Sequence, residues 1–242
     1  VNGPLWTTIK GGRYYGYGYG YGFGYGYGYI GTRCAYLSEQ CVLDGFTLLE
    51  GATMDFGDEN LVQSGGGVWV NASNWNGYVP TNTPVIKNCI IISNSAVEYG
   101  GGVYGAVYIT NSVIEENVAN VGGGCSGSWL DHCIVRGNSA GSGGGLFRSV
   151  AYSSLITSNE AAGSGGAADI THVENCLITD NASVGGGNVH FGSTIVHSTL
   201  SRNHGGPAAM YAYLYNSIAY SNAGGDVDSC NVNYSCVATP EV

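Results

Sequence analysis

The chain has 242 residues, enough for one large domain or two small ones. Charged residues make up only 10% of it and the formal net charge is −10, which argues against a nucleic-acid partner, because such a partner requires a basic surface. No apolar run approaches the ~20 residues that span a bilayer, so we expect no membrane insertion.

The chain opens with "VNGPLWTTIKGG", which contains neither an initiator methionine nor a charged-then-apolar signal segment. This beginning is typical of a mature or excised piece, and we therefore interpret the chain as one.

Between Tyr14 and Tyr29, aromatic residues alternate with glycine. In an extended strand this period of two places every aromatic side chain on one face and every glycine on the other. We predict that 14–29 is a projecting insertion, an arm of ~45–50 Å that packs on an apolar stripe of its own chain or of a neighbouring copy. A local hairpin with cross-strand tyrosine pairs is the alternative. The predicted assembly arm comprises Tyr15, Tyr17, Tyr19, Tyr21, Phe23, Tyr25, Tyr27 and Tyr29.

A second long insertion is predicted over 68–84, where 35 residues separate two equivalent glycine clusters. Trp69, Trp75 and Tyr78 could form a platform for sugar stacking, or the segment could pack on its own coil. Asn71 lies in the same segment and matches the glycosylation pattern Asn-x-Ser/Thr, as do Asn233 and Asn181. Asn181 is the poorest acceptor of the three, because the repeat described next predicts that it is buried.

An internal repeat organises the rest of the chain. Asparagine recurs after short apolar runs at intervals of 23, 21, 21, 22, 22 and 19 residues, and a glycine cluster follows most of these asparagines. A fixed period of this length without helical patterns predicts an all-β solenoid, a single-stranded parallel β-helix of about 8–9 coils, formed by residues 1–242 as one domain. Asparagine tolerates left-handed turns and its amide can bond to the next coil, while the glycines would supply positive φ at another corner. The predicted ladder is Asn94, Asn117, Asn138, Asn159, Asn181, Asn203 and Asn222.

The columns beside the asparagines predict which side chains face the core. The residue three positions before each asparagine is apolar (Ile91 is the first), and the residue five before is Cys or Ser, so both should point inward. The residue four before, from Ile90 to Ile218, is also mostly apolar. It would form an exposed stripe, unless a bend in the strand admits it to the core.

The eight cysteines contain no CxxC pair, which disfavours a zinc site. Cys89, Cys133 and Cys176 lie two coils apart, too far to bridge, and are predicted as buried free thiols. Two short loops could instead be closed by disulfides in an oxidising compartment. Those pairs are Cys34 with Cys41 and Cys230 with Cys236.

Evidence for catalysis is weak. The five histidines have no metal-site spacing and no Ser/His/Asp set is evident, so we predict no catalytic residues and no enzyme. Glu115 and Arg136 fall in one column on adjacent coils and are predicted to form a surface salt bridge. Two acidic clusters are weak candidates for Ca²⁺, although neither has the spacing of a recognised loop, and no other cofactor is expected. Their residues are Asp55, Asp58, Asp226 and Asp228.

The units "GGGVY", "GGGLF" and "GGAAD", combined with "IISN", "LITSN" and "LITDN", resemble repeats of known families. They are similar to the passenger repeats of chlamydial polymorphic outer-membrane proteins, and more closely to bacterial right-handed parallel β-helix repeat proteins. The resemblance covers about residues 42–225 and implies a right-handed coil and a secreted or surface-displayed protein. Ile or Leu replaces the Phe of the chlamydial motif and no membrane-barrel segment follows, so autotransporter behaviour is not carried over.

Three functions are compatible with these features. We favour a non-catalytic extracellular or cell-surface structural protein, a fibril or surface-layer subunit whose partners are copies of itself, because no capping helix is evident and open coil ends invite head-to-tail stacking. The alternative is a surface adhesin or glycan-binding passenger domain. A polysaccharide lyase or hydrolase ranks third, because basic residues are sparse and no paired carboxylates are evident.

Overall fold

A computed structural model describes residues 3–4, 7–12, 31–71 and 82–238. Regular structure in this part of the chain consists of short β-strands, with no helix, and therefore no helix that could cross a membrane. The strands are stacked into parallel sheets, and each turn of the chain visits sheet 2, sheet 3 and sheet 1 in that order before it returns to sheet 2. The fold is thus a parallel β-solenoid, as predicted.

Three long sheets and one short sheet contain all the named strands. Sheet 1 has ten: β1 (Thr8–Lys10), β4 (Thr47–Leu49), β7 (Ile90–Ile92), β10 (Val113–Glu115), β14 (Ile134–Arg136), β18 (Leu155–Thr157), β22 (Leu177–Thr179), β26 (Thr199–Ser201), β29 (Ile218–Tyr220) and β32 (Cys236–Val237). Sheet 2 has nine: β2 (Ala35–Leu37), β5 (Val68–Val70), β8 (Val103–Tyr104), β12 (Cys125–Ser126), β16 (Leu146–Phe147), β20 (Ala168–Asp169), β24 (Val189–His190), β27 (Ala209–Met210) and β30 (Val227–Asp228). Sheet 3 also has nine: β3 (Val42–Asp44), β6 (Val85–Lys87), β9 (Tyr108–Thr110), β13 (Trp129–Asp131), β17 (Val150–Tyr152), β21 (His172–Glu174), β25 (Thr194–Val196), β28 (Tyr213–Tyr215) and β31 (Asn231–Asn233). The short sheet 4 has β11 (Val118–Val121), β15 (Ser139–Ser142), β19 (Glu160–Ala161) and β23 (Ala182–Ser183).

The register of sheet 1 follows the repeat. Ile114 on β10 is paired with Ile91 on β7 and with Val135 on β14, and the same column continues through Leu200 to Ala219. These side chains are fully buried or nearly so, and the middle residues of the sheet 3 strands and the first residues of the sheet 2 strands complete the core. The predicted 8–9 coils are close to the nine or ten strands of the long sheets.

Most coils have one residue with positive φ at each corner. The sequence predicts that the asparagine itself has positive φ at its corner. The structure instead places positive φ at the residue before it, for example Ser93 (φ 54°), Ser158 (φ 56°) and Arg202 (φ 56°). The prediction was wrong because the left-handed residue makes the bend, and the asparagine that follows it is then buried at the coil interior.

The glycine clusters form a second corner, where the predicted positive φ is confirmed at the first glycine, as in Gly122 (φ 68°). The next glycine is required for a different reason. A Cβ at Gly123 would lie 2.5 Å from the carbonyl oxygen of Gly144 one coil away, so successive backbones approach too closely for any side chain.

The long insertion starts later than predicted. Val68–Val70 is strand β5, hydrogen-bonded between β2 and β8 as part of the regular coil. The inserted segment therefore lies between β5 and β6. Positions 72–81, which include Trp75 and Tyr78, lie outside the described residues.

Candidate functional surfaces

The asparagines form a continuous buried ladder along one corner. In a typical step, Asn117 Nδ2 donates to Asn138 Oδ1 (3.0 Å), and the backbone N–H of Asn117 donates to the same oxygen (3.0 Å). Nδ2 also donates to the carbonyl oxygen of Ile91 in the preceding coil (2.9 Å). The step repeats from Asn94 to Asn222, so nearly every amide has both of its donors and its acceptor in use inside the protein.

The two ends of the ladder differ. At the first end, Asn94 Oδ1 accepts a hydrogen bond from the backbone N–H of Gly51 (2.7 Å). At the last end, Asn222 Nδ2 donates to Asp226 Oδ1 (2.7 Å), while Asp226 Oδ2 accepts from the backbone N–H of Ala238 (2.9 Å). The buried carboxylate of Asp226 thus takes the place that the next asparagine would occupy.

The cysteine and serine column forms a second ladder at the corner between sheets 3 and 1. The backbone N–H of Cys133 donates to Ser154 Oγ (3.0 Å), and Ser154 Oγ donates to the carbonyl of Tyr152 (2.6 Å). Burial raises the pKa of Cys133 and of Cys176 to about 11. These thiols therefore act as structural groups that are hard to ionise.

All eight cysteines are free, so neither of the disulfides considered from the sequence is present. Cys34 Sγ instead donates to the carbonyl of Leu49 (3.4 Å), and Cys41 Sγ lies 3.4 Å from Ser38 Oγ. This hydrogen bond lowers the pKa of Cys41. Cys230 Sγ donates to the carbonyl of Asp228 (3.2 Å).

The apolar column of sheet 1 faces outward. Leu177 is 43% exposed and Ile218 47% exposed, while the other members between Ile90 and Thr199 are half-buried. The prediction of an apolar stripe on the surface is therefore confirmed, and this column is not part of the core. Beside it, Arg136 forms the predicted ion pair with Glu115, with Nε 2.6 Å from Oε2.

In the described part of the chain, no further strand covers one side of the last coil, β30 to β32. Val232 occupies a core position and is 37% exposed, whereas Leu214 at the same position one coil earlier is fully buried. The next residues along the chain include Tyr234, which is 91% exposed. Tyr213, Tyr215 and Tyr220 on the preceding coil are also exposed. Exposed aromatic side chains are therefore concentrated on the last two coils, beside the exposed Val232.

The acidic candidates for Ca²⁺ do not converge. Asp58 Oδ1 accepts from the backbone N–H groups of Asn60 and Leu61, Asp228 accepts from Ser229 Oγ, and Asp226 caps the ladder. Asp55 is half-buried and its Oδ1 has no hydrogen-bond partner. Within the described residues, no three His, Cys, Asp or Glu side chains are grouped so that they could hold a metal ion.

The glycan candidates are dispersed. Trp69 is buried, stacks on Tyr36 with ring centroids 4.7 Å apart, and donates from Nε1 to the carbonyl of Asn60 (2.6 Å). It therefore packs against the preceding coil and is not available as a platform for sugar stacking. Asn71 and Asn233 are exposed and Asn181 is fully buried. The predicted arm, Tyr15–Tyr29, lies outside the described residues.

Sequence reasoning missed a buried acid–histidine pair. Asp169 on β20 and His190 on β24 are register partners on adjacent coils, with Asp169 Oδ1 and His190 Nδ1 3.4 Å apart. The other three pairs are more exposed: Asp131 with His132, and Glu174 with both His172 and His197. The spacing of 21 residues equals one coil, so aligning the residues that follow each glycine cluster would have found the Asp169–His190 pair.

Comparison with known proteins does not assign a family, so the class of the protein is defined by its fold. No protein-family model, no curated protein and no solved structure matches the chain. The periodic sequence, the three long parallel sheets and the two hydrogen-bonded ladders define a parallel β-solenoid repeat protein.

Proposed function

We propose that the chain is a non-catalytic structural protein that self-associates end to end outside the cell, in a fibril or surface layer. The observation that carries this proposal is the open last coil, where Val232 at a core position is 37% exposed. Solenoid repeats are stable and soluble when each apolar face has a neighbour or a polar cap. A second copy supplies that neighbour.

The two ends offer matching strands for such a contact. Each long sheet starts with one strand of the first coils (β1, β2 or β3) and finishes with one of the last coil (β32, β30 or β31). All pairings between named strands are parallel, so a second copy placed in the same direction continues each sheet at the usual spacing of ~4.8 Å.

The extracellular location and the right-handed coil belong to the same proposal. Both rest on the resemblance to bacterial right-handed parallel β-helix repeat proteins and to chlamydial passenger repeats. The scarcity of charge supports packing against copies of the same surface, because few ions must be desolvated in the contact.

The test uses the whole chain and two valine variants. Electron microscopy and sedimentation velocity of the wild type should reveal filaments with an axial subunit repeat of about 45 Å, equal to nine or ten coils. Val232→Asp places a carboxylate in the end contact and should leave a folded monomer. Val184→Asp makes the same change at a valine that is 77% exposed on the side of the solenoid, and should assemble normally. A wild type that stays monomeric at high concentration, or equal assembly of both variants, would overturn the proposal.

A glycan-binding role is the second candidate, and the exposed tyrosines of the last coils favour it. Tyr213 and Tyr215 stand on the outer face of sheet 3, 42% and 36% exposed, where their rings are available for stacking on sugars. A glycan array would identify such a ligand, and the double change Tyr213→Ala and Tyr215→Ala should then abolish binding while leaving end-to-end assembly intact.

A further inference from the structure

The first coils of the solenoid carry a cavity that the repeat does not account for. It has a volume of about 430 Å³ and is lined by residues 31–36 at the start of sheet 2, by residues 52–54, and by Leu61 and Val62 of the loop that follows. Small-molecule sites in proteins typically have volumes of about 300–1,000 Å³. The cavity is therefore large enough for a small ligand.

The walls of this cavity are mainly apolar. The ring of Tyr36 is held by stacking on Trp69, with centroids 4.7 Å apart, and it remains 55% exposed. Among the described residues that line the cavity, only Arg33 is charged. The apolar lining includes Ala35, Tyr36, Ala52, Met54, Leu61 and Val62. Such a lining favours a ligand whose body is apolar, because contact with these side chains removes that body from water.

Only part of the Arg33 guanidinium is used by the protein. Nε donates to the carbonyl of Ser64 (3.1 Å), and Nη2 donates to the carbonyls of Leu61 and Val62, the second at 3.0 Å. These bonds attach the loop to the first coils. No acceptor for Nη1 is found among the described residues, so this amino group keeps both of its donors for another partner.

The positive charge of Arg33 also has no acidic partner within the described part of the chain. The other lysines and arginines described there are compensated, either by a carboxylate or by an aromatic ring. Lys10, Lys87, Arg136 and Arg202 form ion pairs, and Arg148 lies over the ring of Phe147. Burial lowers the pKa of Arg33, although a guanidinium stays protonated near neutral pH. A half-buried cation without a counter-ion is costly, and an anion in the cavity would offset that cost.

We propose that this cavity binds a small monocarboxylate with an apolar body. The carboxylate accepts from Nη1 of Arg33, and the body lies against Met54 and Leu61. A single cation balances one negative charge, and the described lining offers no second cation for a phosphate, which carries more charge. The site is independent of end-to-end assembly, because Val232, on which that proposal rests, lies in the last coil.

The experiment compares three probes by isothermal titration calorimetry of the whole chain. Benzoate has a carboxylate on an apolar ring and should bind with one equivalent per chain. Benzamide has the same shape without the charge and should bind at least about tenfold more weakly, because hydrogen bonds to a charged acceptor are the stronger ones. Inorganic phosphate, which lacks the apolar body, should not compete with benzoate.

Three variants locate the binding. Arg33→Gln should weaken benzoate binding at least about tenfold and leave benzamide binding unchanged. Because Arg33 also holds the loop, Met54→Glu provides a second test that keeps the guanidinium and places a competing carboxylate in the cavity, which should abolish benzoate binding. Arg148→Gln, at an exposed guanidinium outside the cavity, should have no effect.

Four results would each overturn the proposal: no binding of benzoate, equal binding of benzamide, displacement of benzoate by phosphate, or the same loss in Arg148→Gln as in Arg33→Gln. Far-ultraviolet circular dichroism checks that every variant retains the β fold.

Discussion

The middle coils and the last coil are built from the same repeat but differ in the burial of their core residues and in the hydrogen bonds of their ladder. Between Asn94 and Ser198, core positions are fully buried and each ladder amide bonds to a coil on either side. In the last coil, Val232 is partly exposed and the ladder finishes on a carboxylate. This difference indicates that each coil is stabilised by contacts with the coil on either side, as expected for a quasi-one-dimensional fold.

Thiol labelling should show the largest contrast between inner and outer coils. Cys133 and Cys176 have pKa values of about 11, raised from 9.0 by burial, so near pH 8 they carry about 100-fold less thiolate than an ordinary cysteine. Cys41 lies near the first end and has a lowered pKa. A mass-spectrometric time course with iodoacetamide should therefore modify Cys41 early, and Cys133 and Cys176 only after unfolding. Comparable rates in the native protein would show that the middle coils open readily.

The next largest effect is expected from Asn138→Ala in the middle of the ladder. The change removes two hydrogen bonds accepted from Asn117 and two donated to Ile114 and Asn159. Because the partners stay buried, unfolding free energy should fall by about 3–5 kcal/mol in a denaturant titration. Asn222→Ala at the open end should cost less, about 2 kcal/mol, because this amide is partly exposed although it donates to the buried Asp226. The exposed control Asn120→Ala should cost less than about 1 kcal/mol. If Asn138→Ala lowered the unfolding free energy no more than Asn222→Ala, the idea that each coil is stabilised by two neighbours would be contradicted.

Core truncation should give a smaller contrast. Ile156→Ala empties a fully buried position in the middle of sheet 1 and should cost about 3 kcal/mol. Val232→Ala in the last coil should cost less than about 1 kcal/mol in the monomer, since water already reaches that side chain. The measurement is denaturant unfolding at a protein concentration below assembly. Equal costs at both positions would mean that the last coil is as well packed as the middle.

The smallest effect concerns the surface pair Asp180 and Arg202, which lies beside the ladder. The Arg202 guanidinium, 2.9 Å from both carboxylate oxygens, lowers the pKa of Asp180 from 3.8 to about 2. The stabilisation is therefore complete above about pH 4 and lost as the pH falls from 4 to 2. Solvent screens the pair, so Arg202→Gln should shift the acid-unfolding midpoint only slightly toward higher pH. An unchanged midpoint would mean that the pair contributes nothing.

Much of the architecture follows from the repeat alone. A period near 22 residues predicts the parallel sheets, and the alternation around each asparagine predicts a buried Ile156 and an outward Leu155. Features that depend on contacts between distant segments could not be predicted in this way. Trp69 is buried because it stacks on Tyr36 from another coil, and the thiol of Cys34 contacts Leu49 and Asn94 of other segments. The Asp169–His190 pair becomes visible only when residues are compared at the coil spacing instead of at local motif spacings.

The ladder also gives the molecule a direction. The hydrogen bonds between neighbouring asparagine side chains all run toward the last coil, so this chain of amides is aligned head to tail along the corner. As in a helix, such a row carries partial positive charge at its donor end, and Asp226 places a carboxylate there. Copies stacked in one direction would join opposite ends of these rows, whereas copies stacked tail to tail would bring two Asp226 carboxylates together. The polarity of the amides therefore favours a fibre with two different ends.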